Sequence, residues 1–387
     1  SSSGSSSLRP GPHERRALRP PPASGTRTLL RHQAPCNMAR PAAEAPRGAL
    51  EPRLAWSLER LADNTRDLWV PHAVPRRRAA EVSPLEFLRD FVAASQPLVL
   101  TELPAEEWPC LQRWTDEYLL ELVGDEEVSV NVTSEGLGDF VDEAGLFVKP
   151  LEERVRFRDF LAGLLAGGQG AGVPYLSRQN DSLREELPAL GRDVPAAVPL
   201  GAAAFGNEPE AVNLWIGDGR AVSSCHKDHY ENLYTVVRGE KIFTLLPPSA
   251  APFLHERPCR PAHFERDGRG RLVAVPDEGS APSVPWVPVD VARPDLQRFP
   301  DFAQAKAVEV RVRPGEMLYL PAMWYHQVSQ RGVTVAVNYW HDMQFGHAYI
   351  CHQFLRDVTG LNDHEADSQG ADSGAAGVVV GPRDSQD

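Results

Sequence analysis

His226-Lys227-Asp228 interrupts a stretch, AVSSCHKDHYENLYTVV, whose β-branched and aromatic residues call for strand, and this combination constrains the chain more than any other feature. Residues i and i+2 of a strand project to one face, so His226 and Asp228 are expected to share a face while Lys227 points away. A third candidate, His326, stands about a hundred residues later, at the end of a segment (PGEMLYLPAMWYH) that opens on a Pro-Gly turn and runs through apolar and aromatic positions. Two imidazoles and one carboxylate are the ligand set of a facial iron triad, which leaves coordination positions open for other molecules. An H-x-D triplet by itself is frequent by chance. The second strand and its histidine give it weight.

The pattern around this segment is mixed. Residues 1–55 are rich in Ser, Pro, Arg and Ala without apolar periodicity and read as a disordered or non-native leader, with Met38 the expected native start. The acid-poor, Arg-rich opening also has the composition of a mitochondrial transit peptide, but its proline density disfavours the amphipathic helix such a peptide forms. Residues 56–172 read as an α+β region. Ser83-Pro84-Leu85-Glu86 has the form of an N-cap, a proline at the first helical position and a capping-box glutamate, and Thr115 caps DEYLLELV, which Gly124 ends. Strands are expected over 97–103 and 127–133, and a short helix over 157–168. Strand signals are expected to dominate 173–345, where NLYTVV-RGE-KIFTLL reads as a hairpin turning at Arg238-Gly239-Glu240. A helix over 346–361 follows, then a tail over 362–387 expected to be disordered. Helices first, a strand-rich body and a closing helix imply a mainly β fold, a barrel or sandwich with helical decoration.

Composition narrows the function classes. Nine arginines against three carboxylates give residues 1–55 a net charge of +6, so a net −13 for the 387-residue chain leaves −19 for the rest. An acidic body disfavours sequence-independent nucleic-acid binding and suits a basic protein partner. Five cysteines without a C-x-x-C spacing indicate neither a disulfide framework nor a zinc ribbon, and reduced thiols fit the cytoplasm or the nucleus. No apolar run has the length of a membrane span. Ser223-Ser224 near a histidine lacks the nucleophile elbow of a hydrolase; His229 reads as a packed or surface histidine, and His341, His347 and His352 as ordinary surface or helix residues.

Lys241 lies in an otherwise apolar strand. It either faces water at a sheet edge or meets a carboxylate of a cosubstrate beside the metal. The set of HKD, Asn232, Lys241, GEMLYLPAMWYH and AVNYW resembles the Jumonji C family of iron- and 2-oxoglutarate-dependent oxygenases over about residues 80–360. The resemblance implies a double-stranded β-helix, the jelly roll of the cupin barrels. It implies that His226, Asp228 and His326 ligate Fe(2+), and that Lys241 pairs with the distal carboxylate of 2-oxoglutarate. Ser223, where relatives often have threonine, and Tyr175 would bind the same cosubstrate; Asn232, Asn338 and Trp340 would line its pocket, with O₂ as the second cosubstrate.

The activity implied is hydroxylation of a protein side chain, in particular lysine at C3, on a partner such as a translation-associated GTPase. The same chemistry at an N-methyl carbon would demethylate lysine or arginine. A metal-dependent endopeptidase is a further alternative, although the chain lacks H-E-x-x-H, and so is a non-catalytic cupin-like binding module. The loop region 249–300, with Trp286, is expected to border the substrate mouth. The apolar closing helix offers a surface for a homodimer.

Overall fold

The computed structural model describes residues 50–167, 172–279 and 282–361. Most of the expected leader and all of the expected tail lie outside them; from Leu50 the chain forms a helix, Leu50–Asn64. The local cap signals act as expected. Ser83 Oγ accepts from the Glu86 amide at the start of the helix Pro84–Phe87, and Thr115 accepts from the Tyr118 amide at the start of Asp116–Val123.

The body is built on six strands: β1 (Ala211–Gly217), β2 (Val222–His226), β3 (Tyr230–Leu246), β4 (Val308–Val312), β5 (Glu316–Leu320) and β6 (Tyr325–Asp342). β3 and β6 are long enough to serve two layers. The first half of β3, Asn232–Val236, pairs with β5 and with the second half of β6, which also pairs with β1. Its second half, Lys241–Leu245, pairs with β4 and with the first half of β6, which also meets β2. Two strands from the N-terminal region, Leu98–Thr101 and Leu137–Gly138, extend this sheet beside β5 and β2. This is the jelly-roll arrangement, with strands passing from one layer to the other through bends.

Arg238-Gly239-Glu240 is therefore not a hairpin turn. Both arms of NLYTVV-RGE-KIFTLL pair with β6 rather than with each other, and the register slips at Arg238. Gly239 takes a positive φ of 76° there, and a Cβ would meet Thr334 Oγ1 at 2.4 Å. The result is a bulge that bends β3 across the corner. The stretch after Val173 is also corrected. Val173–Tyr175 is a strand, but it joins Glu127–Thr133 outside the main sheet, and 182–205 is largely helical, as Ser182–Glu185, Pro188–Asp193 and Pro199–Phe205.

Two apolar clusters hold the layers. Trp215, Tyr234, Phe243, Leu245, Val310, Leu318 and Val328 fill the inside. Leu214, Leu233, Met317, Tyr319 and Tyr339 face outward against Phe87, Leu119, Phe157 and Leu161 of the N-terminal helices. Sheet residues are thus buried on both faces, which is why their sequence runs apolar rather than alternating. Replacing Gly239 with alanine is expected to destabilise the protein by about 2 kcal/mol or more, from the left-handed backbone and the clash at Thr334. Urea unfolding of the variant should show an earlier midpoint at unchanged slope.

Candidate active site

His226 ends β2, and Asp228 stands in the bend before β3 starts at Tyr230, so strand alternation is not what brings them together. The bend is held by the Met323 amide, which donates to the Asp228 carbonyl at 2.9 Å. His226 lies opposite His326 of β6 in the strand register. The outcome is the triad: one ligand atom from each of His226, Asp228 and His326 lies within 4.8 Å of the others. His226 Nε2 is 3.9 Å from Asp228 Oδ1 and His326 Nε2 is 3.5 Å from Asp228 Oδ2.

The tautomers are set by the backbone. His226 Nδ1 lies 2.7 Å from the Ser224 carbonyl and His326 Nδ1 lies 3.0 Å from the Trp324 carbonyl. A carbonyl can only accept, so each Nδ1 carries the proton and each Nε2 presents a lone pair toward Asp228. Burial, helped by the neighbouring His226, pushes the His326 imidazole down to about 4, which keeps it neutral and ready to ligate. This donor set fits a divalent metal that prefers nitrogen and oxygen, iron included.

Lys241 is buried, not an edge lysine in water. Its Nζ donates to the Tyr175 hydroxyl at 2.7 Å and lies 4.9 Å from that ring's centroid, and burial pushes its pKa down to about 7. No described carboxylate pairs with it. A buried cation without an anion is what a cosubstrate carboxylate would complete. It sits across the sheet from Gln330, whose Oε1 is also without a partner.

A cleft is lined by His226, Asp228 and His326 together with Gln179, Trp215, Ser223, Asn232, Tyr234, Phe243, Val328, Trp340 and Tyr175, the residue to which Lys241 donates. Ser223, Tyr175, Asn232 and Trp340 thus stand together at the site. Asn338 is fully buried one step behind, where its Oδ1 accepts from Trp215 Nε1 at 2.7 Å and its Nδ2 donates to Asn232 at 3.1 Å. Trp340 stacks on Tyr230, with centroids 4.8 Å apart, and its Nε1 is left without a partner. Trp215, Tyr234, Phe243, Val328 and Gln179 were not singled out from the sequence. Tyr234 and Phe243 carried a usable signal, since each lies two residues from Asn232 or Lys241 in the same strand. Trp286 stacks on His226 at 6.0 Å and donates to Ser224 Oγ at 2.9 Å, so the 249–300 region does reach the triad.

Behind the ligands lies a buried polar junction. Glu256 receives Arg356 from the closing helix His347–Val358 at 2.5 Å, the Tyr325 hydroxyl at 3.0 Å and Lys227 at 3.5 Å. Tyr325 precedes His326, and Lys227 separates His226 from Asp228. The cations Lys227 and Arg356 outweigh burial and hold the Glu256 carboxyl below its ordinary range, although burial acts in the opposite direction. His341 and His352, expected as surface or helix residues, are both buried, and His352 lies on the closing helix as expected. His341 belongs to β6, and burial pushes His352 down to about 4. His229 stands in the same bend as Asp228 and is exposed beside Phe345.

A jelly roll with a two-histidine, one-carboxylate triad and a buried lysine defines a cupin-type metal-dependent oxygenase. The family comparison agrees: the Cupin-like domain model matches residues 84–347. The chain is 42% identical over 294 residues to the human bifunctional peptidase and (3S)-lysyl hydroxylase JMJD7, covering 76% of this chain and 92% of that protein. It is 34% identical to JmjC domain-containing protein E of Dictyostelium discoideum over 73% of this chain and 88% of that one. It is 37% identical to the lysine-specific demethylase JMJ32 of Arabidopsis thaliana over 79% of this chain and 92% of that one. The chain belongs to the cupin-like Jumonji C family and is a dioxygenase of that family, whose members generally use Fe(II) and 2-oxoglutarate.

Two outcomes follow. Unfolded, Lys241 keeps its proton up to about pH 10.5, whereas in the fold it gives the proton up near pH 7. The unfolded chain therefore binds more protons across that window, and the destabilisation from burying Lys241 is fullest below pH 7 and fades as pH rises to 10.5. Lys241→Met should raise the Tm of the metal-free protein, most at pH 7 and below, while abolishing 2-oxoglutarate binding; calorimetry and titration check both. Glu256→Gln removes the buried carboxylate charge shared by Arg356, Lys227 and Tyr325 and should cost about 3 kcal/mol of stability by denaturant unfolding.

Proposed function

We propose that this chain is an Fe(II)- and 2-oxoglutarate-dependent hydroxylase of a lysine side chain in a basic protein partner. The observation that carries the cosubstrate is Lys241, a buried lysine with no carboxylate partner among the described residues, whose Nζ donates to Tyr175 in the lining of the cleft that holds His226, Asp228 and His326. The similarity to a relative named a (3S)-lysyl hydroxylase supports lysine, and C3, as the target. The acidic body supports a basic partner, of which a translation-associated GTPase is one kind.

In this reading His226, Asp228 and His326 hold the iron. Lys241, Tyr175 and Ser223 bind the distal carboxylate of 2-oxoglutarate, and Asn232, backed by Asn338, orients it. With both bound, the centre converts a C–H bond, O₂ and 2-oxoglutarate to an alcohol, succinate and CO₂. Trp215, Tyr234, Phe243 and Val328 form apolar walls that exclude water. The buried thiols of Cys110, Cys225 and Cys259 support a reducing compartment, cytoplasmic or nuclear. Exposed Phe345, Ile350 and Phe354 on and beside the closing helix support pairing with a second copy.

Reaction of basic proteins with the enzyme, Fe(II) and 2-oxoglutarate should add one oxygen mass to a lysine, and His226→Ala should add none. Tandem mass spectrometry locates the oxygen. Formaldehyde release from N-methylated peptides would replace this reading with a demethylase. Cleavage that persists without 2-oxoglutarate would replace it with a peptidase.

A further inference from the structure

Asp139 is the carboxylate of this cleft that nothing else uses. It follows Gly138, which pairs with Ser223 three residues before His226, so the strand register delivers it beside the metal ligands. Together with Asn131, Ser177 and Pro150 it lines a second lobe that shares Tyr175, Gln179, Trp215 and Ser223 with the lobe containing His226, Asp228 and His326. Of the described residues lining the two lobes, only Asp139 and Asp228 carry carboxylates. Asp228 belongs to the triad.

The backbone holds Asp139 in place at a conformational cost. Its φ is +49°, in the left-handed region that side chains seldom adopt. The Asp139 carbonyl accepts from Ser224 Oγ, and that hydroxyl also receives Trp286 Nε1, whose ring stacks on His226. Neither a hydrogen bond nor an ion pair engages the Asp139 carboxylate among the described residues, and the nearby Lys149 is committed to Asp277 at 2.7 Å. A carboxylate in a cleft, oriented and without a hydrogen bond or ion pair among the described residues, is poised for a cation from outside, although His226 and Lys149 lie close enough to act on it.

We infer that Asp139 is a specificity-determining residue that receives the ammonium group of the substrate lysine while the lysine's carbon stem lies along the aromatic wall toward the metal ligands. This rests on the lysyl reading above and makes it more specific. The substrate side chain is an unacylated, cationic lysine, because acetylation removes the charge that Asp139 meets. Norleucine, which has the stem without the ammonium, would be a poor substrate for the same reason.

The test uses a panel of basic peptides, each centred on one lysine, with acetyl-lysine and norleucine counterparts. Oxygen addition is followed by mass spectrometry, and peptide affinity by fluorescence anisotropy on the Mn(II)-loaded protein without turnover. Wild type should favour lysine over acetyl-lysine by roughly tenfold or more in kcat/KM. Asp139→Asn should raise the lysine-peptide KM and Kd by a similar factor, narrow the discrimination against acetyl-lysine, and change the KM for 2-oxoglutarate less than about twofold. Asp139→Glu, which keeps the charge, should recover part of the lysine preference and so separates recognition from a folding defect. Oxygen on lysine with equal KM in wild type and Asp139→Asn overturns the role of Asp139 and leaves the hydroxylase standing. No oxygen on any lysine in wild type overturns both.

Discussion

The site depends on one constraint: β3 and β6 are paired along nearly their whole length, and the pairing survives a corner. Asn232 faces Trp340, Tyr234 faces Asn338, Lys241 faces Gln330, Phe243 faces Val328 and Leu245 faces His326 across this ladder. Opposed residues of an antiparallel pair share a face. Even-numbered positions of β3 point inward before the bulge at Gly239 and odd-numbered ones after it. A strand without that bulge would turn Lys241 outward, away from Tyr175 and the interior that holds the His-Asp-His triad. The irregular register around Arg238 and Gly239 therefore determines whether Lys241 and the His-Asp-His triad share the interior.

The barrel interior is otherwise apolar, and several of the polar groups it admits are held by specific partners. Ser224 and Trp324 orient the two imidazoles through their carbonyls, Tyr175 receives Lys241, and Asn338 joins Trp215 to Asn232. Lys241 and His326 are both pushed toward their neutral forms by burial. Groups strained in this way are stabilised by what binds them, so the fold stores at this cleft the interactions that ligands complete. Glu256 extends the same order outward, since it links the closing helix to Lys227 and Tyr325, the neighbours of all three ligands.

Much of this was legible locally. The caps at Ser83 and Thr115 act over three residues, and a local code of that kind needs no tertiary partner. The triad was legible from residue types, although the reason offered for it was incomplete, because β2 ends at His226 and a loop, not strand alternation, positions Asp228. Helix Pro199–Phe205 announced itself by a proline at its first position and Gly206 at its left-handed end, signals masked by the apolar strand-like stretch around them. His341 was misplaced because the pairing that continues β6 to Asp342 comes from Tyr230 and Glu231, more than a hundred residues earlier.

By itself the sequence determined the donor atoms: which residues can ligate a metal, which lysine can meet a carboxylate and which segments prefer strand or helix. These follow from side-chain chemistry and short-range backbone preferences. Tertiary structure decided that Arg238-Gly239-Glu240 is a corner rather than a turn, that Lys241 is buried, and that Trp215 and Asp139 stand beside the triad. Those outcomes depend on which distant strand supplies the hydrogen bonds, and a backbone amide carries no mark in the sequence of the partner it will find.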